Sequence, residues 1–252
     1  MSRLRRVGRI ARALVPPSLR PRPAARAHTT VPPAVGRVRF GDFRRLEPLS
    51  RDFGYDRGLP VDRHYIEAFL AAHADDVRGR VLEIGDDAYT RRFGGTRVTR
   101  RDVLHLNAVE GATFVGDLVR ADDIPSNAFD CVILTQTLHL IYDVRAALAT
   151  VHRVLKPGGQ LLATAPGISQ ISRDQWREYW CWSFTSRSLG RLLSEAFPGG
   201  EAAVAAHGNV LAATAFLYSL AAEELRPDEL AHRDPAYEML LTARARKAES
   251  TP

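Results

Sequence analysis

The chain has 252 residues, 45% hydrophobic and 25% charged, the balance of a soluble globular protein with apolar material for a sizeable core in one large domain or two small ones. Its net charge of +6 sits in residues 1–30, where eight of the 35 basic residues fall without one acid; the other 27 face 29 acidic residues, so the part expected to fold lacks the basic excess of a nucleic-acid enzyme. Two cysteines exclude a disulfide framework, and the longest uncharged apolar run, Val210 to Ala222, is too short to span a bilayer.

Residues 1–35 read as a disordered basic arm, because Pro16, Pro17, Pro21, Pro23, Pro32 and Pro33 prevent regular structure over most of it. Leu4, Val7, Ile10 and Leu14 fall at helical spacing between arginines, a pattern suited to peripheral contact with an anionic membrane or a protein partner. The arm also resembles an organelle targeting peptide in being arginine-rich and acid-free. It has no uninterrupted apolar stretch of secretory type, so a cytoplasmic protein is expected.

Residues 36–252 are expected to form the folded domain. After a polar stretch, a helix fits Asp62 to Ala74, with Asp62 as its cap and Ile66, Phe69 and Leu70 on one face. Strand-like runs follow at Arg80–Ile84, Arg97–Arg101, Thr113–Gly116, Phe129–Thr135 and Gln160–Ala165. Helical patterns occupy Asp143–Leu155 and Ser186–Ala196, the first stopped by Pro157-Gly158-Gly159. A strand (Ala202–Ala206), an apolar helix (Val210–Leu225) and a last strand (Met239–Arg244) complete the order. This alternation predicts an α/β protein: a doubly wound, mainly parallel seven-stranded sheet with helices on both faces.

In such a sheet ligands bind at the carboxyl ends of the strands, so the residues just after each strand are the candidates. Gly85 and Asp86 follow the first strand, and Gly85 would let backbone N–H groups approach a ligand. Asp102 is expected where the second strand ends, suited to both hydroxyls of a ribose. Asp117 after the third strand suits an adenine amino group, and Thr135, Gln136 and His139 follow the fourth.

The residues VLEIGD (81–86), Asp102, GDL (116–118), FDCVILTQTLHLIYD (129–143) and RVLKPGGQLLATAP (153–166) together resemble the class I S-adenosylmethionine-dependent methyltransferase family, especially its small-molecule subgroup. The resemblance covers about residues 60–250. It implies S-adenosyl-L-methionine as cofactor, with Glu83 and Gly85 around the methionine part and Asp86 as a further candidate cofactor-binding residue. It likewise implies Asp102 on the ribose, Asp117 and Leu118 on the adenine, and Thr135 with Gln136 beside the sulfonium. One departure stands out: the family's first loop is usually E-x-G-x-G-x-G, and here Asp87 and Tyr89 hold the second and third glycine positions.

A hydroxyl acceptor needs a base, and His139 is the candidate catalytic residue. Tyr179, Trp180, Trp182 and Phe184 form an aromatic cluster that could cap an acceptor pocket, pack as core, or form the surface of a homodimer. The first loop and the segments GISQ (167–170) and YWCWSFT (179–185) look similar to methyltransferase-like domains associated with bacterial glycan assembly. The expected function is therefore methyl transfer to a small-molecule or sugar-type acceptor. The alternative is a non-catalytic module of the same fold, acting as a partner or glycan-binding domain. A nicotinamide-dependent oxidoreductase is excluded by the absence of G-x-G-x-x-G after the first strand. No metal site is expected, since the eight histidines show no ligand spacing.

Overall fold

A computed structural model describes residues 31–249. The expectations for residues 1–30, including the amphipathic pattern from Leu4 to Leu14, lie outside the described residues. The chain divides into two units between Arg44 and Arg45. Of the first unit, residues 31–44 are mostly exposed and hold one short turn, Gly41–Phe43, beside which the Arg44 guanidinium lies 4.9 Å from the Phe40 ring centroid.

The second unit is a seven-stranded sheet flanked by helices. Its strands are β1 (Gly79–Ile84), β2 (Val98–His105), β3 (Phe114–Val115), β4 (Phe129–Thr135), β5 (Leu155–Pro166), β6 (Glu201–His207) and β7 (Leu240–Arg246). Their order across the sheet is β3-β2-β1-β4-β5-β7-β6. The first five are mutually parallel, while β7 runs antiparallel to β5 on one side and to β6 on the other. The strand order reverses between β1 and β4, which makes a crevice at their carboxyl ends.

The central strands feed two cores, because alternate side chains point to opposite faces. In β4, Val132 and Leu134 pack on one face with Leu148 and Val151 of α2 (Val144–Val154) and Leu189 and Leu193 of α3 (Ser186–Ala196). Cys131 and Ile133 pack on the other with Ile66 and Leu70 of α1 (Val61–Ala72) and Phe216 of α4 (Val210–Leu217). A short α5 (Pro227–Ala231) completes that second layer. Cys131 is fully buried, and burial pushes its thiol well above the ordinary range.

Helix starts follow from local chemistry. Asp143 accepts from Ala146 N at 3.0 Å and caps α2; Thr185 and Ser188 cap α3 reciprocally. α1 departs from expectation. It begins at Val61 after Pro60, with no side-chain cap, and Asp62 lies inside its first turn. Proline's fixed φ orders the entry without a cap, which frees the Asp62 carboxylate for the crevice. The helix expected over Val210–Leu225 ends at Leu217, because Ser219 takes φ +56° and turns the chain. Among the described residues, no helix is long and apolar enough to cross a membrane.

Candidate active site

The crevice at the carboxyl ends of β1–β4 opens into a cavity of about 1500 Å³. Small-molecule pockets typically measure about 300–1,000 Å³, so the space suffices for a nucleotide-sized ligand and a second molecule. Of the expected site residues, Glu83, Gly85, Asp86, Asp117, Leu118, Thr135, Gln136 and His139 all line it.

Glu83 closes β1 with 2% of its surface exposed. It accepts from Tyr89 N at 3.2 Å and Thr90 N at 2.7 Å, so it caps the helical turn Thr90–Gly94. Burial raises its carboxyl to about 7, against the lowering effect of those N–H groups. Gly85 follows at φ +100°, a conformation that favours glycine, and a Cβ there would meet nothing within 4 Å. Backbone approach by a ligand is therefore open at this point. Asp86 accepts from Ala88 N at 2.8 Å and shapes the loop.

Asp102 is not brought to the crevice. β2 runs on to His105, because Val103 and Leu104 continue its apolar pairing and Gly85 N donates to Leu104 O at 2.9 Å. Asp102 thus pairs in register with Leu82, inside the sheet, with 1% exposure. Its carboxylate accepts from Arg80 Nε at 2.7 Å and from Arg100 Nη2 at 3.0 Å. The residues at the tip of β2 that line the cavity are Leu104, His105 and Leu106. The run Asp102-Val103-Leu104-His105 carried that signal, since two apolar residues after the acid extend the strand by three positions.

At β3, Gly116 takes φ +157° with open space at its Cβ position. Asp117 then accepts from Val119 N at 2.9 Å and caps the turn Leu118–Arg120. Gln136, just past β4, sits at φ +46°, a strained region for a residue with a side chain. Its N–H is held by Thr164 O at 3.1 Å, and its Nε2 donates to Asp62 Oδ2 at 3.4 Å. Its Oε1 is buried with no hydrogen-bond partner, an acceptor aimed at nothing in the protein itself.

His139 is 3% exposed, and its Nδ1 is likewise buried without a partner. Burial first, and the charge of Arg63 second, lower its imidazole to about 3, so the ring is neutral near pH 7. The Trp180 ring lies 4.2 Å from it, centroid to centroid. Cys181 N and Trp182 N both donate to His139 O, at 2.8 and 3.2 Å. The aromatic segment is thereby tied over the β4 turn: Tyr179 and Trp180 line the cavity, Phe184 joins the core, and Trp182 stacks on the lining residue Tyr142.

Asp62 and Arg63 are lining groups that sequence reasoning missed. Asp62 is 6% exposed, and burial raises its carboxyl. Arg63 beside it donates from Nε to Tyr55 Oη at 2.7 Å. Tyr89, at the third glycine position of the first loop, lies within reach of the same guanidinium. Asp87, at the second position, faces away and pairs with Arg91 at 2.7 Å and Arg101 at 3.3 Å.

A mainly parallel sheet ordered 3-2-1-4-5-7-6, with its crevice over β1 and β4, is the fold of the class I S-adenosylmethionine-dependent methyltransferases. Residues 72–163 match the family model described as a methyltransferase domain. Over 66 residues the chain is 41% identical to the ubiquinone/menaquinone biosynthesis C-methyltransferase UbiE of Pasteurella multocida, covering 26% of this chain and 25% of that protein. The chain thus spans about a quarter of that curated relative's length. The N-methyltransferase NodS of Bradyrhizobium japonicum, solved with S-adenosyl-L-homocysteine, superimposes with a TM-score of 0.52 at 16% identity, covering 80% of this chain and 95% of that one. The 1,6-didemethyltoxoflavin-N1-methyltransferase of Burkholderia thailandensis, solved with bound 1,6-didemethyltoxoflavin and S-adenosylhomocysteine, gives a TM-score of 0.50 at 20% identity, covering 79% of this chain and 82% of that one.

Proposed function

We propose that the chain is an S-adenosylmethionine-dependent methyltransferase acting on a small-molecule or sugar-type acceptor. The observation that carries this reading is the cavity itself, which joins the tips of β1, β2, β3 and β4 in one space of about 1500 Å³. From β3 to β4 is three strand spacings, about 14 Å, a distance suited to a nucleoside bearing an amino-acid tail. The residues fit that ligand: the Asp117 carboxylate for an adenine amino group and the open backbone at Gly116 and Gly85 for close approach, with the buried Gln136 Oε1 left without a partner in the protein.

When bound, S-adenosylmethionine supplies an electrophilic methyl group on a sulfonium. The protein's part is to align an acceptor with it and to exclude water. Thr135 and Gln136 form the wall beside the reacting centre, while Trp180 and Tyr179 cover it. His139 Nδ1 is an unpartnered nitrogen on a neutral ring, fit to hold an acceptor hydroxyl by a hydrogen bond. With its basicity lowered to about 3, orientation suits it better than proton removal.

Calorimetry with S-adenosylmethionine and S-adenosylhomocysteine tests the reading. Binding in the micromolar range is expected, and no heat of binding at millimolar concentration rejects it. The second reading, a non-catalytic module of this fold, draws on Tyr89 in the place of a loop glycine. Turnover of any acceptor, lost in Gln136→Ala, would exclude it. The arm at residues 1–30 is proposed as a peripheral contact for a membrane surface or a protein partner, and a homodimer and a cytoplasmic location belong to the same proposal.

A further inference from the structure

The three tryptophans are held differently. Trp182 is anchored twice, by stacking on Tyr142 and by donating its indole N–H to Ile141 O at 3.1 Å. The indole N–H groups of Trp176 and Trp180 have no hydrogen-bond partner among the described residues, and both side chains line the cavity. Trp176 is presented by a short turn, Gln175–Tyr179, whose start is fixed by Asp174: its Oδ1 accepts from Ser172 Oγ at 2.7 Å and from Trp176 N at 2.9 Å. Tyr179 lies 6.0 Å from Trp176, ring centroid to centroid, and is about half exposed. Trp180, Tyr179 and Trp176 thus form an aromatic track. It starts beside His139 at the β4 tip and ends near the tip of β2, where the His105 ring centroid is 6.5 Å from that of Trp176.

That track continues out of the cavity. A groove of about 490 Å³ lies between Leu106-Asn107 and residues 173–179, and it shares Leu106, Trp176 and Tyr179 with the cavity. Its size is ordinary for a ligand site. The polar wall holds Asn107, Gln175, two arginines (Arg173, Arg177) and two acids (Asp174, Glu178), so its charges balance and it does not select an ion. Arg173, Arg177 and Glu178 form no salt bridge among the described residues, and their donors and acceptors stay open. A neutral, hydroxyl-rich ring suits such a wall. The face of an aromatic ring is its negative side, and the C–H groups of a sugar, polarised by their oxygens, lie against it. The hydroxyls at the sugar's rim then meet the guanidinium, carboxylate and amide groups.

We propose that this groove is a second saccharide subsite, and that the acceptor is a glycoside of two or more rings. One ring lies in the cavity beside Trp180, and the next stacks on Trp176 and Tyr179 in the groove. The proposal rests on the methyltransferase reading above and narrows its acceptor from a small molecule to an oligosaccharide.

The test uses the full chain saturated with S-adenosylhomocysteine, on a printed array of monosaccharides and oligosaccharides. Retention of oligosaccharides with two or more rings, and of no monosaccharide, is expected. In calorimetry, Trp176→Ala should weaken the best-retained oligosaccharide at least tenfold and leave S-adenosylhomocysteine within twofold. Arg177→Ala, at an exposed position that lines the groove alone, should weaken the same oligosaccharide by a few fold, and it serves if Trp176→Ala does not fold. Retention of no saccharide, equal retention of single rings, or a loss of S-adenosylhomocysteine as large as that of the oligosaccharide overturns the assignment while the cofactor reading survives. A wild-type protein that does not bind S-adenosylhomocysteine overturns the methyltransferase reading and the acceptor role with it.

Discussion

At 2% exposure, Glu83 has lost nearly all its hydration, and its carboxyl holds a proton up to about pH 7 in the folded chain against an ordinary 4.5. Between those values the folded state binds more protons than the unfolded one. The stability it confers is therefore full below about pH 4.5 and is lost as pH rises through 7, on the order of 3 kcal/mol. His139 acts in the opposite sense: held to about 3 against 6.5, it makes the unfolded state the better proton binder below pH 6.5, so acid destabilises. Glu83→Gln should become relatively more stable than wild type on going from pH 5 to pH 8, by up to about 3 kcal/mol in urea denaturation. An unchanged difference between the two pH values would contradict the burial argument. Asp102 makes a second case. Its carboxylate joins two arginines that are themselves partly solvated, so Asp102→Asn should cost about 2 kcal/mol of stability yet leave S-adenosylhomocysteine affinity within twofold. A large loss of affinity would return Asp102 to the binding site.

Elements show where local pattern suffices and where it does not. The strands were legible because apolar residues alternate or run together between breakers, and β4 and α3 have the predicted bounds. The end of β2 is not, since a strand over Arg97–Arg101 puts Asp102 at its end, whereas register with β1 carries the strand through Val103 and Leu104. The apolar run after Val210 conceals a turn at Ser219 that no periodicity marks. The Arg63–Tyr55–Tyr89 cluster is closed by folding across 34 positions, so motif spacing could not disclose it. Asn209 also takes its role from folding. It caps α4 by accepting from Leu211 N and Ala212 N at 2.9 and 3.0 Å, and it donates to Glu229 O and His232 O at 2.7 and 2.9 Å. Asn209→Ala removes a cap and strands two carbonyls, at an expected cost of about 3 kcal/mol by denaturation. Asn209→Ser, which keeps the cap alone, should recover about 1 kcal/mol of it.

For the second unit as a whole, the sheet forms the base of a ligand space lined by α1 and by residues between 169 and 181. A ligand that binds only the folded state stabilises it by mass action, about 2.7 kcal/mol at one hundred times its Kd. S-adenosylhomocysteine at that concentration should raise the thermal midpoint by about 5–10 °C, measured by calorimetric scanning.

The sheet's far side depends on its final strand. β7 pairs with β5 through seven residues and with β6 through the same seven, so β5 and β6 never bond to each other. A translation product halted before Leu240 would own a finished crevice but two raw backbone flanks where that wedge belongs. Such flanks capture strands from neighbouring chains, and the shortened polypeptide would be prone to accumulate as insoluble clusters even with every crevice residue intact.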